Sequence, residues 1–392
     1  MKKILLFSAA IAALSLGACS NDEIVERPEA DAISFRAALG KNTRATEVTA
    51  ANLGGFKVSA IKGTENFFQG VAVSKTSETR WDTQGKYYWP TTSELTFGAW
   101  APADLTGVEY SVTSKKITAY KPSLDVANQK DVLVATNKGT KAANGTTGVE
   151  MYFHHALSQI QVDAASTLEG MKVKVLGVKL ANFKGQGDFD FPTGVTGTGV
   201  LLNQNLWKNV QTPTAYAAMG ASSTNAVTLT AELTNKGLQF GKGNFMVIPQ
   251  NNSTTAFGKA NLNGTYIGLY VQITRTDGSL VYPNNGTSAS YAFVAVPVKE
   301  DWLPGKKYVY QIKFGGTDGN GGAGLVPNDQ NIPDKDDNGT TGTAPEGTTP
   351  NQDPKGDGVN DHGEQVLGQP IWFTVKVEDW STANTEIILP NS

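Results

Sequence analysis

Few residues in this chain could do chemistry, and they lie far apart. Cys19 is the only cysteine in 392 residues. It can form no internal disulfide and no cysteine-based metal site, which leaves thioether formation with an external partner. Of the three histidines, His154 and His155 are adjacent. Neighbours in a strand point to opposite faces, so the two cannot reach one metal ion or one substrate atom, and strand histidines with ordinary partners are expected. Asp334, Asp336 and Asn338 place oxygen ligands at alternate positions before Gly339, as at the opening of a calcium loop. Position twelve of that loop is Pro345, where a bidentate Glu is required, and no flanking helices are visible. A solvated loop is therefore expected there, with calcium at Asp334, Asp336 and Asn338 as the alternative. Paired carboxylates, a nucleophile elbow, a metal helix motif and a phosphate loop are all missing from the sequence, so neither catalysis nor a cofactor is expected.

The context of Cys19 says what its thiol could become. Lys2 and Lys3 begin the chain and an apolar run from Ile4 to Leu16 follows. That run is too short and wrongly flanked for a spanning helix, so residues 1–18 read as an export signal. Leu16-Gly17-Ala18-Cys19 resembles a bacterial lipoprotein signal, in which small residues admit the peptidase ahead of a cysteine that has received a diacylglyceryl group. Cys19 would then be the mature N-terminus, carrying a thioether-linked diacylglycerol and an N-acyl chain. Each buried CH₂ contributes about 0.8 kcal/mol, so more than one chain anchors stably to the outer membrane. Ser20-Asn21-Asp22-Glu23 is polar and acidic, and resembles the tract that sends Bacteroidetes lipoproteins to the outer surface.

Composition excludes another class of partner. With 33 basic and 36 acidic residues the formal net charge is −3, so the chain carries no electrostatic footprint for nucleic acid. Gly is high at 42 and Pro stands at 17, a mix that suits many strands joined by turns. Long helical periodicity is hard to find after the signal.

Alternation of apolar and polar residues then locates the strands. Ile33, Phe35 and Ala37 alternate as a half-buried first strand requires. Gly40 to Thr46, with Arg44 alone within it, is polar and unpatterned, an exposed connection open to a protease. Leu53 to Ile61, Lys86 to Pro90 and Leu95 to Trp100 continue the pattern. From Val149 to Val162 the apolar parity changes, which predicts one strand with a bulge near Ser158-Gln159. A polar break from Asp163 to Gly170 marks a boundary, giving an N-terminal domain over 45–165 and a C-terminal one over 166–392. Strands follow at Met171–Val175, with a parity shift at Gly177, and at Val227–Leu229, Phe245–Pro249, Tyr266–Ile273, Tyr291–Val298 and Lys307–Phe314. The turn signals Asn263-Gly264, Asp277-Gly278 and Asn285-Gly286 argue for an all-β sandwich. Residues 315–368 have the composition of a flexible loop. Beyond them Ile371, Phe373, Val375 and Val377 share one strand face, and Ile387 and Leu389 form a second short apolar run.

In their order along the chain, several stretches resemble the fimbrillin family of Bacteroidetes surface lipoproteins. They are Leu16 to Cys19, the early strand with Arg44 beyond it, Tyr87-Tyr88-Trp89-Pro90 leading to Ala99-Trp100-Ala101-Pro102, and Phe153 to Ile160. Trp302 to Tyr308 and Ile371 to Val375 with Trp380 complete the set. The resemblance implies two β-sandwich domains of transthyretin-like topology and a structural subunit of a cell-surface pilus serving adhesion. It further implies that residues 19–44 are a propeptide containing the leading strand, removed by an arginine-specific protease between Arg44 and Ala45. The vacated groove would take a strand donated by the next subunit, the donor candidates being Ile371, Phe373, Val375, Val377, Ile387 and Leu389. Partners would be other pilus subunits, the protease, the outer membrane before maturation, and host or bacterial surface receptors. Removing an internal strand exposes backbone groups and an apolar groove, and the resulting head-to-tail contact does not close on itself, so a filament follows. The alternative is a surface glycan-binding lipoprotein of the outer membrane using Trp81, Trp207 and Trp372 as sugar platforms, although tryptophan is buried on average and core packing is their expected use.

Cys19 gives a direct test. Cells fed a clickable fatty acid should label the wild-type chain and leave Cys19→Ala unlabelled; equal labelling would exclude acylation at this residue.

Overall fold

The computed structural model describes residues 31–39, 53–197, 202–233, 238–316, 320–336, 341–352, 354, 362–367, 371–380 and 387–388. The fold is all-β. The first strands are β1 (Ser34–Leu39), β2 (Phe56–Lys62), β3 (Glu65–Lys75), β4 (Trp81–Thr83) and β5 (Leu95–Ala101). The chain then leaves for another sheet through β6 (Val108–Tyr110) and β7 (Lys115–Tyr120), and returns as β8 (Leu133–Gly139) and β9 (Val149–His155). Seven of these close into a barrel in the order β1-β4-β3-β2-β5-β8-β9. Its interior is aromatic, with Phe35, Phe56, Phe97, Phe153, Trp81 and Trp89 all buried.

Two further sheets follow. β10 (Ser158–Ser166), β14 (Phe245–Val247), β18 (Lys306–Phe314), β19 (Asn320–Ala323) and β21 (Ile371–Asp379) form one, with β22 (Ile387–Ile388) against β21. The other is built on β11 (Met171–Asp190), with β12 (Trp207–Met219) and β13 (Val227–Thr228) paired to it. Around it lie β15 (Tyr266–Arg275), β16 (Leu280–Tyr282), β17 (Ser290–Pro297), β20 (Thr349–Pro350), β7 and β6. The largest core lies between these sheets, where Ile160, Val162, Tyr308, Tyr310, Ile312 and Phe373 meet Val173, Val175, Val178, Leu180, Leu269 and Val294. The parity shift expected at Gly177 is a register shift between Val175 and Gly177 on the β15 ladder. It moves the core face from Val173 and Val175 to Val178 and Leu180 and turns Leu176 into a separate cluster.

The parity change near Ser158-Gln159 has a different cause from the bulge expected there. β9 ends at His155, and β10 begins at Ser158 in another sheet. Ala156 and Leu157 between them are fully buried. Three of their four backbone groups are hydrogen-bonded: Ala156 N–H donates to Val132 at 2.8 Å, Gly305 N–H donates to the Leu157 carbonyl at 2.8 Å, and the Trp207 indole N–H donates to the Ala156 carbonyl at 2.7 Å. A buried link needs such partners. Residues 315–368, expected as a flexible loop, instead contribute to the cores: among their described residues Leu325, Val326, Ile332 and Leu367 are buried and Val366 is partly buried.

Lys179, on β11, has no exposed surface, and its ammonium donates to the Asp329 and Asn331 carbonyls at 2.9 Å each while facing the Phe293 ring at 4.2 Å. Burial pushes its pKa from the ordinary 10.5 down to about 8, with the Asp329 carboxylate opposing the shift. Between those values the unfolded chain binds a proton that the folded chain has released, so this residue makes stability rise with pH across that window. Urea unfolding should therefore show the stability of wild type minus that of Lys179→Met increasing from pH 7.5 to pH 10. A difference independent of pH would contradict the shift.

Candidate functional site

The leading strand closes the barrel, and its seat is the candidate site. Ile33 and Phe35, the alternating apolar residues of the sequence pattern, are 1% and 0% exposed, and Ala37 and Leu39 pack against the same core at its rim. The Phe35 ring meets Phe97 edge-on at 5.4 Å and Phe56 at 6.1 Å. Arg36 points outward toward Glu150 at 4.0 Å, both half-exposed, an ion pair that contributes little.

β1 is held unequally on its two edges. Along β9 it runs parallel, from Phe35 opposite Val149 to Leu39 opposite Phe153. Along β4 it pairs antiparallel only through Ser34–Asp82 and Phe35–Trp81. Just before the strand, Ile33 N–H donates to Tyr87 at 2.7 Å, Trp89 N–H donates to Asp31 at 3.1 Å, and the Asp31 carboxylate pairs with Lys141 at 2.8 Å. The other barrel ladders are antiparallel. A parallel pair cannot be joined by a tight turn, so β1 is not part of a hairpin with β9. Its covalent tie to the barrel runs through 40–55 to β2, and a cut within that segment leaves it held by non-covalent contacts alone.

Gly148 matters to this seat and carried no signal in the hydrophobic pattern. Its φ is 73°, and a Cβ there would come within 3.2 Å of the Phe35 carbonyl carbon and the Ser34 carbonyl oxygen. Glycine lets the loop before β9 turn tightly and approach the strand backbone. At the same end a cavity of about 670 Å³ opens beside Ala32 and Ile33, walled by Arg80, Asp82, Thr83 and Gly85. The Arg80 guanidinium donates to Asp82 at 2.9 Å.

The donor candidates sit at the other end of the chain. Ile371 and Phe373 are each 1% exposed, while Val375 and Val377 are half-buried. β21 pairs antiparallel with β18 along its whole length, from Ile371 opposite Phe314 to Asp379 opposite Lys306. Ile387 pairs with Val377 on the other edge of β21. Trp380 ends the strand: its N–H donates to the Gly305 carbonyl at 2.8 Å and its ring stacks on His155 at 4.3 Å. His155 Nδ1 in turn lies 2.7 Å from the Asp131 carboxylate, both side chains buried. No feature of the sequence joined Asp131, His155 and Trp380, because three separate strand connections bring them together.

Cys19, Arg44, Ala45, Asn338 and Leu389 lie outside the described residues. Of the calcium candidates, Asp334 accepts a hydrogen bond from Asp336 N–H at 3.1 Å in a local turn. Among the described residues no three His, Cys, Asp or Glu side chains come together as a metal site. Trp81 and Trp207 are core residues, 2% and 5% exposed, and Trp372 is half-buried.

A family model described as fimbrillin-like matches residues 43–327. Among solved structures, a candidate cell adhesion protein of Bacteroides eggerthii DSM 20697 is 14% identical with a TM-score of 0.42, over 89% of this chain and 96% of that one. Another, from Bacteroides uniformis ATCC 8492, is 12% identical with a TM-score of 0.40, over 89% of this chain and 98% of that one. A fimbrial assembly protein of Parabacteroides distasonis ATCC 8503 is 10% identical with a TM-score of 0.37, over 72% of this chain and 91% of that one. These likenesses are too distant to carry an argument, and no curated protein matches. The family model spans more than half of the chain, and on that ground this chain belongs to the fimbrillin-like family.

Proposed function

We propose that this chain is a structural subunit of a cell-surface fimbria that serves adhesion, assembled by strand exchange at the seat of β1. In this reading the chain is exported as a lipoprotein acylated at Cys19 and held at the outer membrane. An arginine-specific protease then cuts between Arg44 and Ala45, and β1 leaves. The observation that carries the proposal is the way β1 is seated: an inserted parallel strand, tied covalently only through the segment containing Arg44, with Ile33 and Phe35 buried in the barrel core and Ala37 and Leu39 partly buried at its rim. Burial of Ile33 and Phe35 contributes about 1.5–3 kcal/mol each, so an empty seat exposes an apolar groove that another strand would fill. Backbone groups along β9 would lose their partners as well.

Of the two donor runs, the placement of β21 favours the later one. Ile371 and Phe373 are core residues of their own sheet and the ladder with β18 extends over the whole strand, so withdrawing Ile371–Val377 would open that core. The stretch beyond Trp380 contains Ile387 and Leu389, and of its described residues Ile387 and Ile388 make a two-residue pairing with β21, far shorter than the β18 ladder. The transthyretin-like, two-domain description belongs to the same proposal: a barrel over the first part and a sheet pair over the second, joined by the buried link at Ala156-Leu157.

N-terminal sequencing of assembled surface material should begin at Ala45, and Arg44→Ala should keep its lipidated N-terminus and fail to polymerise. Removal of residues 381–392 should abolish filaments and leave the monomer's melting temperature unchanged. Filaments formed by the truncated chain would place the donor elsewhere, and assembled protein beginning at Cys19 would refute maturation at Arg44.

A further inference from the structure

Away from the β1 seat, the last part of β11 is irregular on both edges. The ladder with β12 shifts between Gln186 and Asp188, and the ladder with β7 shifts between Gly187 and Phe189. Three residues with side chains hold left-handed backbone beside these shifts: Ala119 at φ 52°, Asn209 at 50° and Thr212 at 63°. Such conformations are disfavoured, persist only where the surroundings impose them, and cluster at binding sites. Two of them, Ala119 and Asn209, line a cavity of about 320 Å³ with Gln186, Gly187, Asp188 and Gln211, and Thr212 follows the last of these in the chain. That size falls within the range of small-ligand sites.

The polar groups of the cavity are arranged for a ligand. Gln186 and Gln211 are direct cross-strand partners, so their carboxamides stand on one face. Among the described residues neither carboxamide has a hydrogen-bond partner. Asp188 is fixed from both sides: one carboxylate oxygen accepts from Ala119 N–H at 2.7 Å and the other from the Asn209 side-chain amide at 2.8 Å. These two bonds hold its carboxyl below the usual range, so it is ionised at neutral pH. A carboxylate offers about four acceptor positions, which leaves free ones on Asp188. Gly187 lines the wall with backbone alone.

These groups define the chemistry of an occupant. Two carboxamides supply donors and acceptors, and the carboxylate supplies acceptors only. Among the described residues no cation lines the cavity, and although Lys116 lies near enough to act on Asp188, a phosphate, sulfate or carboxylate ligand would meet the Asp188 carboxylate first. One carboxylate also supplies little charge for calcium, whose sites draw on several Asp and Glu carboxylates besides neutral oxygens. A neutral molecule with several adjacent hydroxyls fits, because each hydroxyl both donates and accepts.

We propose that the cavity around Gln186, Asp188 and Gln211 is a binding site for a neutral saccharide, with Asp188 accepting hydrogen bonds from adjacent hydroxyls and the two carboxamides fixing the ring. The site is independent of strand exchange, since β1 takes no part in this sheet. Saturation-transfer NMR on the full chain, with methyl α-mannoside, methyl β-galactoside, N-acetylglucosamine and N-acetylneuraminic acid as probes, tests it. Transfer to at least one neutral sugar should exceed transfer to the acidic one. Binding should weaken at least tenfold in the Gln186→Ala/Gln211→Ala double variant and in Asp188→Asn, with melting temperatures unchanged. The proposal fails if none of the neutral sugars shows transfer, if the acidic sugar binds equally well, or if both variants retain wild-type binding.

Discussion

The barrel depends on one contact surface, the apolar face of a nine-residue stretch at its start. Ile33 and Phe35 fill the interior between β4 and β9, and the rings of Phe56 and Phe97 pack on Phe35. Two residue pairs with β4 are all that close the circle on that side. Burial of these side chains, more than backbone pairing, therefore keeps the seventh strand in place. In the proposed assembly, such a strand would give way to another that offers the same alternation.

The rest of the molecule is locked together more firmly. β6 and β7 leave the first half of the chain to pair in the sheet of β11, and the outer face of the barrel packs on that sheet through Trp100, Tyr110, Phe189, Phe191 and Trp207. The link at Ala156-Leu157 is buried in the same cluster and held by three backbone hydrogen bonds. Trp380 joins this junction by stacking on His155, so the end of the last strand is fixed where the barrel meets the sheets. Loss of β1 would leave this second region intact, because none of its contacts runs through the leading strand.

Polar groups divide along the same lines. Where a charge is buried, as at Lys179 or Asp131, it meets carbonyls, an opposite charge or an imidazole, since an unpaired buried charge is strongly unfavourable. Where pairing along β11 becomes irregular, carboxamides and a carboxylate are left facing outward. The first arrangement stiffens the interior, and the second leaves hydrogen-bonding capacity available to a ligand.

The sequence alone determined the all-β class and many strand positions, because a period of two is a local property: Ile33 and Phe35, Val173 and Val175, Tyr308 and Tyr310, and Ile371 and Phe373 each declare a buried face within a few residues, whereas β3 and β12 were not legible and Lys86–Pro90, expected as a strand, forms only an isolated bridge at Tyr88. The anomaly at Gly177 was legible for the same reason, since a bulge inverts parity. Parity could not separate that bulge from the change of sheet after His155, because both invert the faces and only the partner strands differ. The parallel seating of β1 on β9, the Asp131–His155–Trp380 contact and the cavity at Asp188 were likewise hidden. Each joins residues that are remote in the chain, and pairing between remote segments is decided by which buried faces fit together in three dimensions.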